Sequence, residues 1–276
     1  MAQRAAKSHH HPGIVPTEIG NLASTMTTLY IGHTHLALPK EVYKLTSLET
    51  LYIGLEQEPV GPLELHRIFK CMRNLTPSSY PMEAELCLLS DLERLGIADT
   101  NITGSLPSEL WKLTNLVNLD VGSNALTGTV PTDLALLSSL ETLYLDSNNL
   151  TGTLPSNVYE HLGGLTRLYI SDNPISGTIP TEVGLLGNLT YLHVHRTSLS
   201  GTLPASLLSL LQLDSRLSLV DTNLSGSIPD GLCNATVRDE LNCPRLDFMC
   251  QPRFVTWNAS VCEGTALCGC GCDECS

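Results

Sequence analysis

Phenylalanine and tryptophan are scarce in this chain, with three and two copies in 276 residues, and aromatics make up only 5% of it. Leucine, by contrast, occupies 51 positions. A core built on one aliphatic side chain points to a short motif written many times. Positive charge is also scarce, with 15 Lys and Arg against 28 Asp and Glu and a net charge of −13. That balance argues against a nucleic-acid binder, which needs a basic face to meet phosphates. No apolar run approaches the roughly 18 residues that span a bilayer. Met1–His11 is polar, carries Arg4, Lys7, His9, His10 and His11, and has none of the apolar centre of a secretory signal. The hydrophobic fraction of 42% nevertheless supports a buried core rather than disorder.

What is present is a repeat. Pro107, Pro131 and Pro155 lie 24 residues apart, and Pro180, Pro204 and Pro229 follow at 25, 24 and 25. Between Pro107 and Pro131 the apolar positions are Leu110, Leu113, Leu116, Leu119, Val121, Leu126 and Val130, with Asn124 and Gly128 in fixed slots. The next unit repeats them as Leu134, Leu137, Leu140, Leu143, Leu145, Asn148, Leu150, Gly152 and Leu154. Upstream, Pro39 and Pro16 open weaker copies, and the register is lost between Gly54 and Tyr80, which reads as an insertion. About eight units result.

Each position of the template has a physical reading. The L-x-L alternation buries two side chains and exposes the one between them, as a short half-buried strand does. One strand per repeat stacks into a parallel sheet. The Asn just past each strand can bond the backbone of the neighbouring turn, and Thr100, Thr197 and Thr222 offer a weaker version of that bond. Glycine permits a tight bend, and proline stops further ladder pairing. The period-three L-x-x-L-x-x-L run suits a helical or 3₁₀ turn behind the sheet.

The unit L-x-x-L-x-x-L-x-L-x-x-N-x-L-x-G-x-I-P resembles the plant-type leucine-rich repeat. Such repeats occur in the extracellular regions of receptor-like kinases, in polygalacturonase-inhibiting proteins and in similar diatom proteins. The C-terminal run from Cys262 through Cys268, Cys270 and Cys272 to Cys275 is similar to the Cys-rich tails of the diatom members. The resemblance implies an α/β solenoid, a curved right-handed superhelix with one parallel sheet on its concave face and 3₁₀ or helical turns on its convex face. It also implies binding of proteins, peptides or glycans on the concave side. The chain differs from a full receptor in showing no signal, membrane span or kinase motif.

The expected organisation is a disordered or truncated segment over 1–15, a solenoid over 16–229 with an insertion near 54–80, and a Cys-rich cap over 230–276. Gly13-Ile14-Val15-Pro16 fits the end of a repeat, while His9 and His11 stand where Asn and Leu belong, so the chain enters the solenoid in mid-unit without a cap. That reads as a truncated start.

Ten cysteines point to an exported protein. Cys71 and Cys87 flank the end of the insertion, where a bridge contributes roughly 3 kcal/mol. Cys233, Cys243, Cys250, Cys262, Cys268, Cys270, Cys272 and Cys275 form the candidate disulfide cap, with pairing left open among about 105 connectivities. Zinc held by the tail thiolates is the rival reading. Candidate glycosylation sequons fall at Asn74, Asn101, Asn149, Asn188, Asn223, Asn234 and Asn258, although the repeat consensus itself writes several of them. The expected location is extracellular or cell surface, with the cytoplasm as alternative.

Phosphate-loop, dinucleotide, zincin and nucleophile-elbow motifs are all missing. His193 and His195 alternate on one strand and, with Asp172 or Asp146, compose a conceivable catalytic site; as an enzyme it is the weakest reading. The leading expectation is a non-catalytic binding module without cofactor or metal; its narrower form is an inhibitor of a secreted hydrolase. The middle strand residues read Tyr30, Tyr52, Gly96, Asp120, Tyr144, Tyr169, His193 and Ser218. Strand spacing of about 4.8 Å then places Tyr144, Tyr169 and His193 in one row, with Tyr191, Arg167, Asp146, Asp172, His195, Arg196 and Arg216 around it. These ten residues are the expected ligand-binding face.

Overall fold

The computed structural model describes residues 5–7, 17–22, 24–31, 40–53, 63–64, 89–213, 216–219 and 221–225. All ten cysteines fall outside them, as do Asn74, Asn234 and Asn258, so the disulfide, tail-metal and C-terminal cap expectations lie outside the described residues. The chain divides into two compact units, Met1–Thr129 with Leu136–Asn149 and Val130–Ala135 with Leu150–Ser276.

Both units are built as a solenoid, with one short parallel strand per repeat. In the first, the strands Ala5–Lys7, Thr28–Ile31, Thr50–Ile53, Arg94–Gly96, Asn118–Asp120 and Thr142–Tyr144 pair in that order, all parallel. In the second, Arg167–Tyr169, Tyr191–His193 and Arg216–Ser218 do the same. The Ala5–Lys7 strand extends the series upstream of the first clear repeat. Leucine phase explains the strands. Leu119 and Val121, Leu143 and Leu145, Leu168 and Ile170, and Leu192 and Val194 are all buried. Each such side chain contributes about 1.5–3 kcal/mol by leaving water. The residues between them, Asp120, Tyr144, Tyr169 and His193, are half-buried on the opposite face.

Behind the strands, the period-three leucines form 3₁₀ turns, among them Ser108–Lys112, Thr181–Leu185 and Ala205–Leu213. The repeat proline opens these turns. Pro107 and Pro180 are extended, and their carbonyls accept from Leu110 at 3.1 Å and Val183 at 3.2 Å. Proline suits this place because the first turn needs no N–H from it.

The Asn slot behaves as a ladder. Asn124 Oδ1 accepts the Ile102 N–H at 3.0 Å, Asn148 Oδ1 that of Leu126 at 2.9 Å, and Asn173 Oδ1 that of Leu150 at 2.9 Å. Each Nδ2 donates to the carbonyl three residues before it. Where Thr fills the slot, Thr197 and Thr222 keep that last bond through Oγ1, to Val194 at 2.8 Å and Leu219 at 3.0 Å.

A second series of short strands follows the ladder. Leu63–Glu64, Ile102–Ser105 and Ala125–Thr127 pair in the first unit, and Asn173–Gly177, Thr197–Gly201 and Asn223–Leu224 in the second. The glycine slot by itself predicts only a bend here. Leu63–Glu64 lies within 54–80, so part of the stretch read as an insertion pairs like a repeat. Gly177 has φ +84°, and a Cβ there would lie 2.8 Å from Thr153 Cγ2. The slot therefore needs glycine for both conformation and space.

Candidate functional site

Two contact groups form on the strand face of the second unit. The first is aromatic. Register sets Arg167 beside Tyr191 and Tyr169 beside His193 on adjacent strands. The Tyr169 ring meets His193 edge-on with centroids 4.2 Å apart and stacks against Tyr191 at 6.4 Å. The Arg167 guanidinium sits 5.4 Å from the Tyr191 ring centroid, within cation–π range. Leu168 and Leu192 anchor the strands from the buried side, so the rings stand on a fixed backbone.

The second group is polar. His195 Nε2 lies 3.4 Å from Asp172 Oδ2, and Ser218 Oγ lies 3.1 Å from His195 Nδ1. A carboxylate only accepts, so the contact with Asp172 is a hydrogen bond when Nε2 carries the proton; in the neutral ring Nδ1 then accepts from the Ser218 hydroxyl. Arg196 Nη1 reaches Asp172 Oδ1 at 3.1 Å, and Arg196 Nε lies 3.8 Å from Asp221 Oδ2. Asp172, Arg196 and Asp221 all have left-handed backbones, with φ of 53°, 50° and 54°. They fill one repeat slot, just before the Asn or Thr of the ladder, which Asp99, Ser123 and Ser147 also fill in the left-handed region. Asp and Ser tolerate that conformation through local hydrogen bonding, whereas Arg has no such help.

Of the ten expected face residues, Arg167, Tyr169, Asp172, Tyr191, His193, His195 and Arg196 come together in this unit. Tyr144 and Asp146 belong to the first unit, where Tyr144 is in register with Asp120. Arg216 is in register with Tyr191, and its side chain lies outside the described residues. Ser218 and Asp221 were absent from the expected set. Ser218 was visible as a middle strand residue, and Asp221 only through the left-handed slot, which has no fixed residue type. Among the described residues, no three His, Cys, Asp or Glu side chains are placed to hold a metal ion. No helix among them is long and apolar enough to cross a membrane. The sequons at Asn101, Asn149, Asn188 and Asn223 are exposed, and Asn188 Nδ2 donates to the Gly163 carbonyl at 2.8 Å.

The Leucine Rich Repeat family profile matches residues 139–160 and 164–186. No curated protein sequence matches the chain. Among solved structures it is similar to the plant peptide hormone receptor RGFR1 in complex with RGF2, with a TM-score of 0.64 and 26% identity over 80% of this chain and 32% of that one. It is similar to the Arabidopsis receptor kinase HAESA in complex with the peptide hormone IDA and the co-receptor SERK1, with a TM-score of 0.61 and 26% identity over 79% of this chain and 37% of that one. A TDR receptor gives 0.60 and 25% identity over 81% and 39%. The chain thus spans about a third of the length of these receptors. It carries leucine-rich repeats at residues 139–160 and 164–186 and is similar in fold to these plant receptors.

Proposed function

We propose that this chain is a non-catalytic recognition module that binds a protein or peptide ligand on the strand face of its second unit, outside the cell. The observation that carries the reading is the aromatic group, in which Tyr169, Tyr191 and His193 stand on paired strands with Arg167 over Tyr191. Tyrosine and arginine dominate binding energy at interfaces because they bury large area and still offer directed polar groups. A rigid strand backbone lowers the ordering cost of using them. The similarity to receptors of peptide hormones supports the same class of ligand. Oxidation of most of the ten cysteines belongs to the same reading.

The test is selection of peptides from a displayed random library on the purified chain. Affinity of a selected peptide is then measured against a variant with Tyr169, Tyr191 and His193 changed to Ala. A loss of about 100-fold or more with unchanged circular dichroism is expected, as for the centre of an interface. Unchanged affinity would remove the site from this face.

A further inference from the structure

The first unit carries an aromatic feature that its core does not use. Register sets Tyr30, Tyr52, Gly96 and Asp120 in one row across four adjacent strands. The Tyr30 and Tyr52 rings are parallel to within 2°, with centroids 5.2 Å apart, and Tyr30 is 39% exposed. A Cβ at Gly96 would lie 2.0 Å from Tyr52 Cδ1 and 2.2 Å from Cε1. The Tyr52 ring therefore lies down over the next strand, in room that only glycine leaves, and leans toward Asp120. The space over Gly122 is bounded in turn by carboxylates. Its Cβ position is 3.4 Å from Asp120 Oδ1 and 3.2 Å from Asp146 Oδ1. Arg94, the cation flanking Gly96, is 3.7 Å from Glu93.

We propose that this face binds a Lys- or Arg-bearing extended segment of a partner protein, with cationic side chains over the Tyr30 and Tyr52 rings and at the carboxylates of Asp120 and Asp146. Three observations select that occupant. Two parallel rings, one of them fixed by the glycine beneath it, present π faces that attract a cation. Asp120, next along the row, and Asp146, across Gly122 from it, are of the sign that completes the pairing. The chain as a whole, at −13, steers cations toward it. Long Lys and Arg stems also cover ring surface while their heads reach further to an acid. The inference concerns a different unit from the peptide-binding reading above and stands apart from it.

The probe is an acetylated, amidated decapeptide of alternating Arg and Gly, titrated into the whole chain at low salt by calorimetry. Binding is expected, weakened about tenfold or more by Tyr52→Leu and by Asp120→Asn. Glu109→Gln, which removes an acid from the 3₁₀ side of the same unit, is expected to leave it unchanged. Absence of binding by the unaltered chain would overturn the proposal. So would equal weakening by Glu109→Gln, which would assign the effect to diffuse net charge. Binding of a neutral oligosaccharide such as cellohexaose with the same dependence on Tyr52, and none of the Arg-Gly peptide, would assign the rings to glycans instead. If Tyr52→Leu loses its circular dichroism signal, Asp120→Asn decides the matter alone.

Discussion

Asn148 is tied to Leu126, 22 residues earlier, by accepting its backbone N–H at 2.9 Å. The same amide donates to the carbonyls of Val121, Leu145 and Asp146 at 3.0, 3.0 and 3.1 Å. Asn148 is buried, so its removal strands a buried N–H and several carbonyls together. Asn148→Ala is expected to cost about 2–4 kcal/mol in urea unfolding, given roughly 1–3 kcal/mol for each unsatisfied buried group. Asn148→Thr is expected to cost less than Ala, because the hydroxyl can keep the bond to Leu145, as Thr197 does to Val194. Equal losses for Ala and Thr would show that the bond to Leu145 contributes nothing and that the other partners of the amide carry the effect.

The ladder, the strands and the 3₁₀ turns follow from residue phase, because each slot repeats one residue type for one physical reason. Leu119 and Val121 face the core, Asp120 faces out, and Asn124 bonds back to Ile102, all as the period requires. Register likewise places Tyr169 beside His193. What phase leaves hidden depends on side-chain reach or on slots of mixed composition. The left-handed slot holds Asp, Ser and Arg, so no residue type marks it. Tyr52 over Gly96 depends on a missing Cβ two strands' width from Tyr30, and Ser218 reaches His195 on a diagonal that period counting does not score. The second strand series is short because Gly177 and Gly201 turn the chain with φ of +84° and +80°.

Arg196 tests the cost of that left-handed slot. Both Arg196→Gly and Arg196→Ala remove the contacts to Asp172 and Asp221, and they differ in tolerance of φ 50°. Arg196 is exposed, so the lost ion pairs are worth little. Gly is expected to be more stable than Ala by about 1 kcal/mol in chemical denaturation, from the steric penalty of a Cβ in that region. Equal stability of the two would mean that the backbone relaxes out of the left-handed region once the guanidinium is gone.

Asp120 makes stability depend on pH in the less common direction for a carboxylate. Its pKa is raised above 3.8 by burial first and by Asp99 in addition, against a lowering hydrogen bond from Gly122. A raised folded pKa means that the folded state holds the proton more tightly than the unfolded one. This group's contribution to stability is therefore present below the unfolded value and is lost as pH rises through the folded one. Asp120→Asn keeps an acceptor for Gly122 and removes the charge. The variant is expected to melt higher than the unaltered chain at pH 7, with the difference vanishing below the unfolded pKa. A lower melting temperature at pH 7 would show that the ionised carboxylate is stabilised by contacts stronger than its burial.

Ser218, His195 and Asp172 form a chain of contacts like that of a hydrolytic triad, at 3.1 and 3.4 Å. Composition of the chain of contacts is not enough for catalysis, since acyl transfer also needs donors fixed on the developing oxyanion. Asp172 is moreover shared, and its contact with Arg196 at 3.1 Å is shorter than that with His195. The group reads better as a brace that fixes the His195 ring and the left-handed turn beside it. Hydrolysis of p-nitrophenyl acetate by the purified chain is expected to match that of free imidazole at equal concentration, and Ser218→Ala is expected to leave it unchanged. The same substitution is expected to move the His195 ring resonances in the NMR spectrum at fixed pH, because it removes the Nδ1 partner. Hydrolysis that exceeds the imidazole control and disappears in Ser218→Ala would make Ser218 a nucleophile and this face an enzyme's.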